Sequence, residues 1–287
     1  MPTRLKSFLK SISFFRFKAA FRSFTKIEKF AFFIFLLFFA AGLTWQGLRI
    51  YFLNTELKAA TGGIFTEGIV GMPRYINPVF GDSGDADRAL ESLIFAGLFK
   101  GDYQGGVIAD LAESYEISKD GKVYTITLKD GLFWHDGKPL TADDIIFTIE
   151  LIKAPELKNP LAPNWNGVEV EKISSKTIRF TLPAPYQPFL HNLTFGILPR
   201  HLWGQIPIQN FMLAELNLKP IGAGPYRFKN LQKDRKGAIS QYTLVANRNY
   251  PGPGPYLDTV IIKFFPSYED ALLSLKKREI DGLGGIP

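Results

Sequence analysis

The residues best suited to acid–base chemistry lie close together in GLFWHDGKPLTADDIIFTIELI, residues 131–152. His135 stands beside Asp136, and Asp143 stands beside Asp144. Paired carboxylates can serve as general acid and general base when burial raises the pKa of one of them. An imidazole beside a carboxylate can exchange a proton near neutral pH. The first question is whether these side chains do chemistry or only build a helix.

The elements that must position these residues favour a structural role. Thr141 and Asp144 have the spacing of a capping box, which closes the first turn of a helix. The positive end of that helix stabilises the charged form of Asp143 and Asp144. Asp136-Gly137 predicts a tight turn, in which His135 is expected to make a surface hydrogen bond. The buried stripe of the helix is predicted to be Ile145, Ile146, Ile149 and Ile152.

No other pattern predicts an enzyme. The three histidines, His135, His191 and His201, lack the spacing of metal ligands. Gly222 to Gly224 lacks the strand–turn–helix context of dinucleotide binding, so we predict a turn there. The chain has no Cys, which excludes disulfides, thiolate metal sites and a cysteine nucleophile. We therefore predict no catalytic residue, no metal site and no cofactor.

The net charge of +7 comes from one short segment. Residues 1–29 contain eight Lys or Arg and one Glu, and the remaining residues balance 26 basic against 26 acidic side chains. Nucleic-acid binding would need a basic face on the folded part. We therefore predict no nucleic-acid partner, and we interpret residues 1–29 as a basic cytoplasmic arm.

Residues 30–48, FAFFIFLLFFAAGLTWQGL, predict a transmembrane helix. They carry no charge and would span about 28 Å as a helix, close to the thickness of a bilayer. The basic arm predicts a cytoplasmic N-terminus. The alternative is a cleaved signal peptide, because Ala40-Ala41-Gly42 resembles a cleavage site. Either interpretation places the main domain outside the cytoplasm, extracellular or periplasmic.

Beyond a predicted stalk at residues 49–62, the chain alternates strands and helices. Residues 63–70 predict a strand, and Asp85 is a candidate N-cap for a helix. Asp120-Gly121 predicts a hairpin in which Tyr124, Ile126 and Leu128 share one face. The segment SYEDALLSLKKREIDG predicts an amphipathic helix near the end of the chain.

Six segments, in this order along the chain, are informative about its family: LIFAGLFKGD, IADLAESYEISKDGKVYTITLKDGLFWHDGKPLTADDIIFTI, ILPRHLW, PIGAGPYRF, LVANRNYPGPGPYLDTVIIKFF and ALLSLKKREIDG. Together they resemble the extracellular solute-binding proteins of family 5, the oligopeptide-, dipeptide- and nickel-binding components of ABC importers. The block from Trp134 to Asp144 is the most specific part. The resemblance covers residues 64–287.

The resemblance implies a mixed α/β fold, a lobe of periplasmic binding protein type II with an inserted β-rich domain. Residues 63–85 and 172–287 are expected to form the discontinuous lobe I domain, and residues 86–171 the insertion. A second lobe would close over the ligand by a hinge. Similar proteins continue about as long again, so the chain is expected to end near the crossover to lobe II. Ala223 stands where a Thr is common.

The resemblance also implies the ligand and the partners. Peptide ligands are held by strand-like hydrogen bonds, so the end of the first strand is the expected site. The candidate ligand-binding residues are Gly71, Met72, Pro73, Arg74, Tyr75 and Trp165. Arg74 could meet a ligand carboxylate, and Trp165 is either an aromatic wall or a core residue that anchors its loop.

The predicted partners are a peptide or similar small solute, ABC permease subunits, and the lipid bilayer through residues 30–48. Nickel is the ligand with the least support, because histidines are few. Three alternatives stay open: a tethered peptide sensor or chaperone on the same fold, a truncated fragment that does not bind, and a hydrolase.

Overall fold

The computed structural model describes residues 22–55, 60–80 and 84–284. The chain divides into two units, one ending at Ala59 and one beginning at Ala60. Residues 1–21 of the predicted arm, residues 56–59 of the predicted stalk, and residues 285–287 lie outside the described residues.

Among the described residues of the first unit, the long helix α1 spans Lys26–Asn54. A capping box starts it: the Thr25 hydroxyl accepts from the Glu28 N–H at 3.4 Å, and the Glu28 carboxylate accepts from the Thr25 N–H at 2.7 Å. The helix extends beyond the predicted span of 30–48 into the predicted stalk, and none of its residues is buried. By length and composition it is able to cross a membrane.

A mixed five-stranded sheet frames the second unit, in the order β11-β1-β10-β9-β8. Its strands are β1 (Ile64–Val70), β8 (Tyr226–Lys233), β9 (Ile239–Ala246), β10 (Thr259–Phe265) and β11 (Gly282–Leu283). Strand β1 pairs parallel with both β10 and β11, whereas β8, β9 and β10 pair antiparallel. The strand predicted at residues 63–70 is therefore the parallel centre of this sheet.

Two antiparallel sheets lie between β1 and β8 along the chain. The small one pairs β2 (Phe99–Gly101) with β3 (Val107–Ala109). The larger one has the order β4-β5-β7-β6, with strands β4 (Ala112–Ile117), β5 (Val123–Leu128), β6 (Glu169–Lys172) and β7 (Thr177–Thr181). The alternation in β5 buries Tyr124, Ile126 and Leu128 on one face, as its pattern indicated.

The boundary drawn at residue 171 cuts through the β6–β7 hairpin. Strand β7 pairs with β5 and β6, so by hydrogen bonding it goes with the antiparallel sheet and not with the five-stranded one. Both sheets also share one continuous hydrophobic core, and residues from Ala60 onward form one compact unit. The division into lobe and insertion stays a prediction.

The described part of the second unit has four helices: α2 (Asp85–Ile94), α3 (Ala142–Lys153), α4 (Arg200–Trp203), which packs on α3, and α5 (Tyr268–Lys276). Short 3-10 turns connect them at Pro155–Leu157, Ala162–Trp165, Gln187–Leu193, Ile208–Leu213 and Glu215–Asn217. Gly84, one residue before the expected Asp85, is the N-cap of α2. Glycine has no side chain that could cap the helix. The capping bond here runs the other way, from the Gly84 N–H to the Asp87 carboxylate at 3.2 Å.

Candidate ligand-binding site

The carboxyl ends of two parallel strands form the edge on which the predicted site lies. Val70 and Phe265 are register partners at the ends of β1 and β10. The ladder continues one step further, since the Gly71 N–H donates to the Phe265 carbonyl at 2.9 Å. Gly71 then adopts φ of 99°, in the left-handed region that favours glycine. The chain therefore leaves the sheet directly after its last paired residue.

A buried carboxylate holds the loop that follows. Asp87, in the first turn of α2, is 0% exposed. One of its oxygens accepts from the backbone N–H groups of Arg74 at 2.7 Å and Tyr75 at 2.9 Å. The other oxygen accepts from Gly84. Two charge-assisted hydrogen bonds thus fix the position of the loop relative to α2, and the third closes the first turn of α2 itself.

The candidate residues of this loop differ in exposure. Gly71 and Arg74 are exposed, and Met72 is 53% exposed. Tyr75 is half-buried and packs edge-on against Phe80, with ring centroids 5.3 Å apart. Pro73 is buried. Four of the five residues therefore present surface at the carboxyl end of β1, while the Pro73 side chain is buried under the loop.

Trp165 lies away from any open surface. It is 0% exposed and packs against the rings of Phe180, Phe189 and Phe195, with centroids 5.9 to 6.2 Å apart. Its indole N–H has no hydrogen-bond partner among the described residues. As placed, the side chain fills the core behind its loop and presents no wall to a ligand. Its role as a ligand-binding residue stays a prediction.

His135 does not make the surface hydrogen bond expected from its neighbour Asp136. Its Nδ1 accepts from the Gly222 N–H and its Nε2–H donates to the Gly224 carbonyl, both at 3.1 Å. Asp136 instead contacts His201 at 2.7 Å. Burial first, and the nearby charge of Arg227 in addition, lower the pKa of His135 from 6.5 to about 4. The ring is a neutral bridge to a turn 87 residues away.

The Gly222–Gly224 turn is explained by close packing. A Cβ at position 222 would overlap the carbonyl oxygen of Ile94 at the end of α2, and a Cβ at 224 would lie 2.6 Å from the carbonyl carbon of the same residue. The Gly224 N–H donates to the Ile94 carbonyl at 2.8 Å. The turn therefore joins α2, the His135 loop and β8, and it holds no feature of nucleotide binding.

The carboxylates at the start of α3 connect this helix to neighbouring elements. The Asp144 carboxylate accepts from the Thr141 N–H and from the Arg200 N–H, both at 2.9 Å. Asp143 pairs with Lys172 at 2.6 Å. The expectation that the helix end keeps Asp144 in its charged form is wrong in direction, because burial raises its pKa and the two N–H bonds offset only part of that rise. All these contacts secure α3 against α4 and β6.

Within the described residues, no three His, Cys, Asp or Glu side chains form a group that could hold a metal ion. This edge presents an exposed backbone turn, a half-buried aromatic ring and an exposed guanidinium.

The comparison with known families adds the decisive finding. Residues 106–287 match the family model described as Bacterial extracellular solute-binding proteins, family 5 Middle. The chain belongs to this family. It is 33% identical over 229 residues to the oligopeptide-binding protein AppA of Bacillus subtilis, a match that covers 78% of this chain and 41% of AppA.

Solved family 5 structures share its fold. The structure of Bacillus subtilis AppA with a nonapeptide is 32% identical and matches with a TM-score of 0.69, over 78% of this chain and 44% of that one. NikZ of Campylobacter jejuni, in complex with Ni(L-His), is 33% identical, with a TM-score of 0.67 over 78% and 43%. The Helicobacter pylori ABC transporter-associated periplasmic binding protein DppA, in complex with peptide STSA, is 28% identical, with a TM-score of 0.65 over 77% and 46%.

These matches confirm the resemblance and the fold class: the chain has the mixed α/β fold of type II periplasmic binding proteins. The chain spans less than half the length of the relatives it matches. Family 5 consists of solute-binding proteins and not of enzymes, which agrees with the structural roles of His135, Asp143 and Asp144.

The sequence did not point to the residues that hold the candidate loop in place. Asp87 appeared only as one of several acids in a predicted helix, and Asn77 and Asn217 carried no motif. Both asparagines are buried, and their side chains bond to each other at 3.1 Å. A polar residue inside an apolar helical stripe was the available signal for Asp87, since such a group needs buried partners.

Proposed function

We propose that the chain is the membrane-anchored substrate-binding component of an ABC importer, and that it binds peptides or similar small solutes outside the cytoplasm. The ligand would lie across Gly71, Met72, Pro73, Arg74 and Tyr75 at the carboxyl ends of β1 and β10. The observation that carries this proposal is the pinned, exposed turn of residues 71–75 in a family 5 fold.

Geometry supports backbone recognition at this loop. Ligands of open α/β sheets bind outside the carboxyl ends of parallel strands. The chain leaves the sheet at Gly71, after the last ladder bond, and the proposal places the strand-like hydrogen bonds of a peptide on the exposed backbone that follows. Arg74 supplies a positive charge for a ligand carboxylate. The relatives AppA and DppA are described with peptides bound.

Membrane anchoring rests on α1. The helix is apolar, 29 residues long and without a buried residue, and eight cations in residues 1–29 precede or begin it. That asymmetry favours a cytoplasmic N-terminus and an external main domain. The alternative of a cleaved signal peptide predicts a shorter mature chain.

Peptide binding is tested with the full chain in lipid nanodiscs. Thermal unfolding is followed by tryptophan fluorescence with pooled di- to pentapeptides, because a ligand of the folded state raises the melting temperature. Arg74→Gln should reduce the shift for peptides with a free carboxylate more than for their amides, while Arg235→Gln, in the β8–β9 turn, should not. Melting curves that no pool shifts would refute peptide binding.

Anchoring is tested with single-cysteine variants, since the chain has no native Cys. In intact cells, Thr61→Cys should react with a membrane-impermeant maleimide, and Ser23→Cys should react only after lysis. Loss of residues before about 42 from the mature chain, measured by mass, would support the cleaved signal instead. The importer role predicts that deleting the gene reduces peptide uptake and that restoring it recovers uptake.

A further inference from the structure

An apolar cavity of about 540 Å³ opens beside the candidate loop. Tyr75, the last residue of that loop, is one of its walls. The other apolar walls are Phe80, Leu157, Pro160, Ile208 and Met212. Small-molecule sites in proteins commonly measure about 300 to 1,000 Å³ and are lined mainly by apolar and aromatic side chains. Size and lining therefore fit one bulky apolar group.

Two buried asparagines tie the walls of this cavity together. Asn159 is 5% exposed, and its side-chain amide donates to the Val79 carbonyl at 3.0 Å. This bond joins the turn that contains Leu157 and Pro160 to the loop that contains Tyr75 and Phe80. The Asn159 side-chain oxygen accepts from the Leu161 N–H at 2.8 Å, which fixes the turn itself.

Asn217 joins the third wall to the same loop. Its backbone carbonyl accepts from the Ile76 N–H at 3.0 Å, and its side-chain oxygen accepts from Asn77 at 3.1 Å. Its side-chain amide donates to the Phe211 carbonyl at 2.6 Å, directly before Met212. Buried amides that use both their donor and their acceptor hold a single geometry, so the cavity exists before any ligand arrives.

One wall of the cavity is also exposed to solvent. Met212 is 56% exposed although it lines the cavity. Methionine adapts its shape to different apolar partners. Glu156, Lys158 and Gln209 also line the cavity and supply its polar lining. A group that enters from the Tyr75 side would cover Met212 and remove its apolar surface from water.

We propose that this cavity is a side-chain subsite, in which a peptide lying along residues 71–75 buries one aromatic or long aliphatic side chain against Tyr75, Phe80 and Met212. The inference rests on the proposed function and adds a specificity to it: the protein discriminates among peptides by one apolar side chain. Small side chains gain little from this cavity, because they leave its apolar walls uncovered.

The test uses the full chain in nanodiscs and five tetrapeptides. Four carry one phenylalanine at successive positions among alanines, and the fifth is tetra-alanine. The best phenylalanine peptide should bind about tenfold tighter than tetra-alanine or more, as expected for burying an aromatic ring. Replacing its phenylalanine by p-benzoylphenylalanine should give photo-crosslinks at Met212 or Tyr75, located by mass spectrometry.

Two tryptophan variants in one turn provide the comparison. Met212→Trp places an indole ring at the cavity, narrows it, and should bring the affinity ratio between the phenylalanine peptide and tetra-alanine closer to one. Leu213→Trp adds the same ring at the neighbouring position, which is 84% exposed and does not line this cavity. It should keep the ratio of the unmodified chain. Equal effects of both variants would contradict the subsite.

The results separate a failure of the subsite from a failure of peptide binding. If the peptides bind but phenylalanine gives no advantage, or if crosslinks map only elsewhere, the subsite is overturned and peptide binding stands. If none of the five peptides nor the pooled library binds, both the proposed function and the subsite are overturned.

Discussion

Protonation of His135 should destabilise the folded second unit as the pH falls. Its ring is held neutral by the Gly222 N–H on Nδ1, and a proton there would remove that acceptor. The pKa of His135 is lowered from 6.5 to about 4 by burial first, with Arg227 adding to the shift. Asp136 and the Gly224 carbonyl act in the opposite direction and offset only part of it.

The sign and the size follow from linkage. Between pH 6.5 and about 4 the unfolded chain binds a proton at this position and the folded chain does not, so stability rises with pH over that window. Stability from His135 is complete above pH 6.5, declines as the pH falls, and is lost once the pH passes below about 4. The pKa difference corresponds to at most about 3 kcal/mol, reduced by partial exposure of the ring.

Urea unfolding of the full chain in detergent, followed by tryptophan fluorescence, measures this contribution. The unmodified chain and His135→Gln are compared at pH values from 7.5 to 4, and the difference in unfolding free energy should shrink by about 2 to 3 kcal/mol on acidification. Other titrating groups are common to both proteins. Arg227→Gln should raise the lower limit of the window and so narrow it, because it removes a charge that lowers the folded-state pKa of His135. A difference that stays constant across the pH range would refute the reasoning.

Three further substitutions test the turn at Gly222, the hydrogen bonds of Asp87 and the packing of Trp165. Gly222→Ala forces a methyl group onto the Ile94 carbonyl and should cost about 3 kcal/mol in urea unfolding, whereas Gly101→Ala has open space and should cost under about 0.5 kcal/mol. Asp87→Ala leaves backbone donors of the candidate loop without their acceptor and should cost about 3 kcal/mol, with faster hydrogen exchange in residues 71–75; unchanged exchange would contradict its role. Trp165→Ala removes a fully buried ring and should cost about 3 to 5 kcal/mol, and a cost below about 1 kcal/mol would contradict its place in the core.

Local sequence patterns predicted those elements whose interacting residues lie close together in the sequence. The alternation of β5, the Asp120-Gly121 turn and the Thr141–Asp144 cap each depend on residues a few positions apart. The apolar segment 30–48 was predicted between the charged residues Lys29 and Arg49, and α1 extends past both, from Lys26 to Asn54. Single charges do not end a helix.

Contacts between distant segments were beyond these patterns. Nothing in residues 63–70 specifies that β1 pairs with β10, almost two hundred residues later, or that β7 joins the sheet of β5. His135 was expected at the surface because its bridge to Gly222 depends on that packing. The loop 71–75 was predicted as a site from family resemblance. Its hydrogen bonds to Asp87 could not be predicted, because they depend on where α2 lies in the fold.

The central claim is that solutes bind at the carboxyl ends of β1 and β10. Hydrogen–deuterium exchange of the full chain in nanodiscs, with and without a stabilising peptide pool, tests it most directly. Bound peptide should slow exchange in residues 71–75 and leave the β8–β9 turn unchanged. Peptide binding that leaves residues 71–75 unchanged and protects a different surface would contradict it.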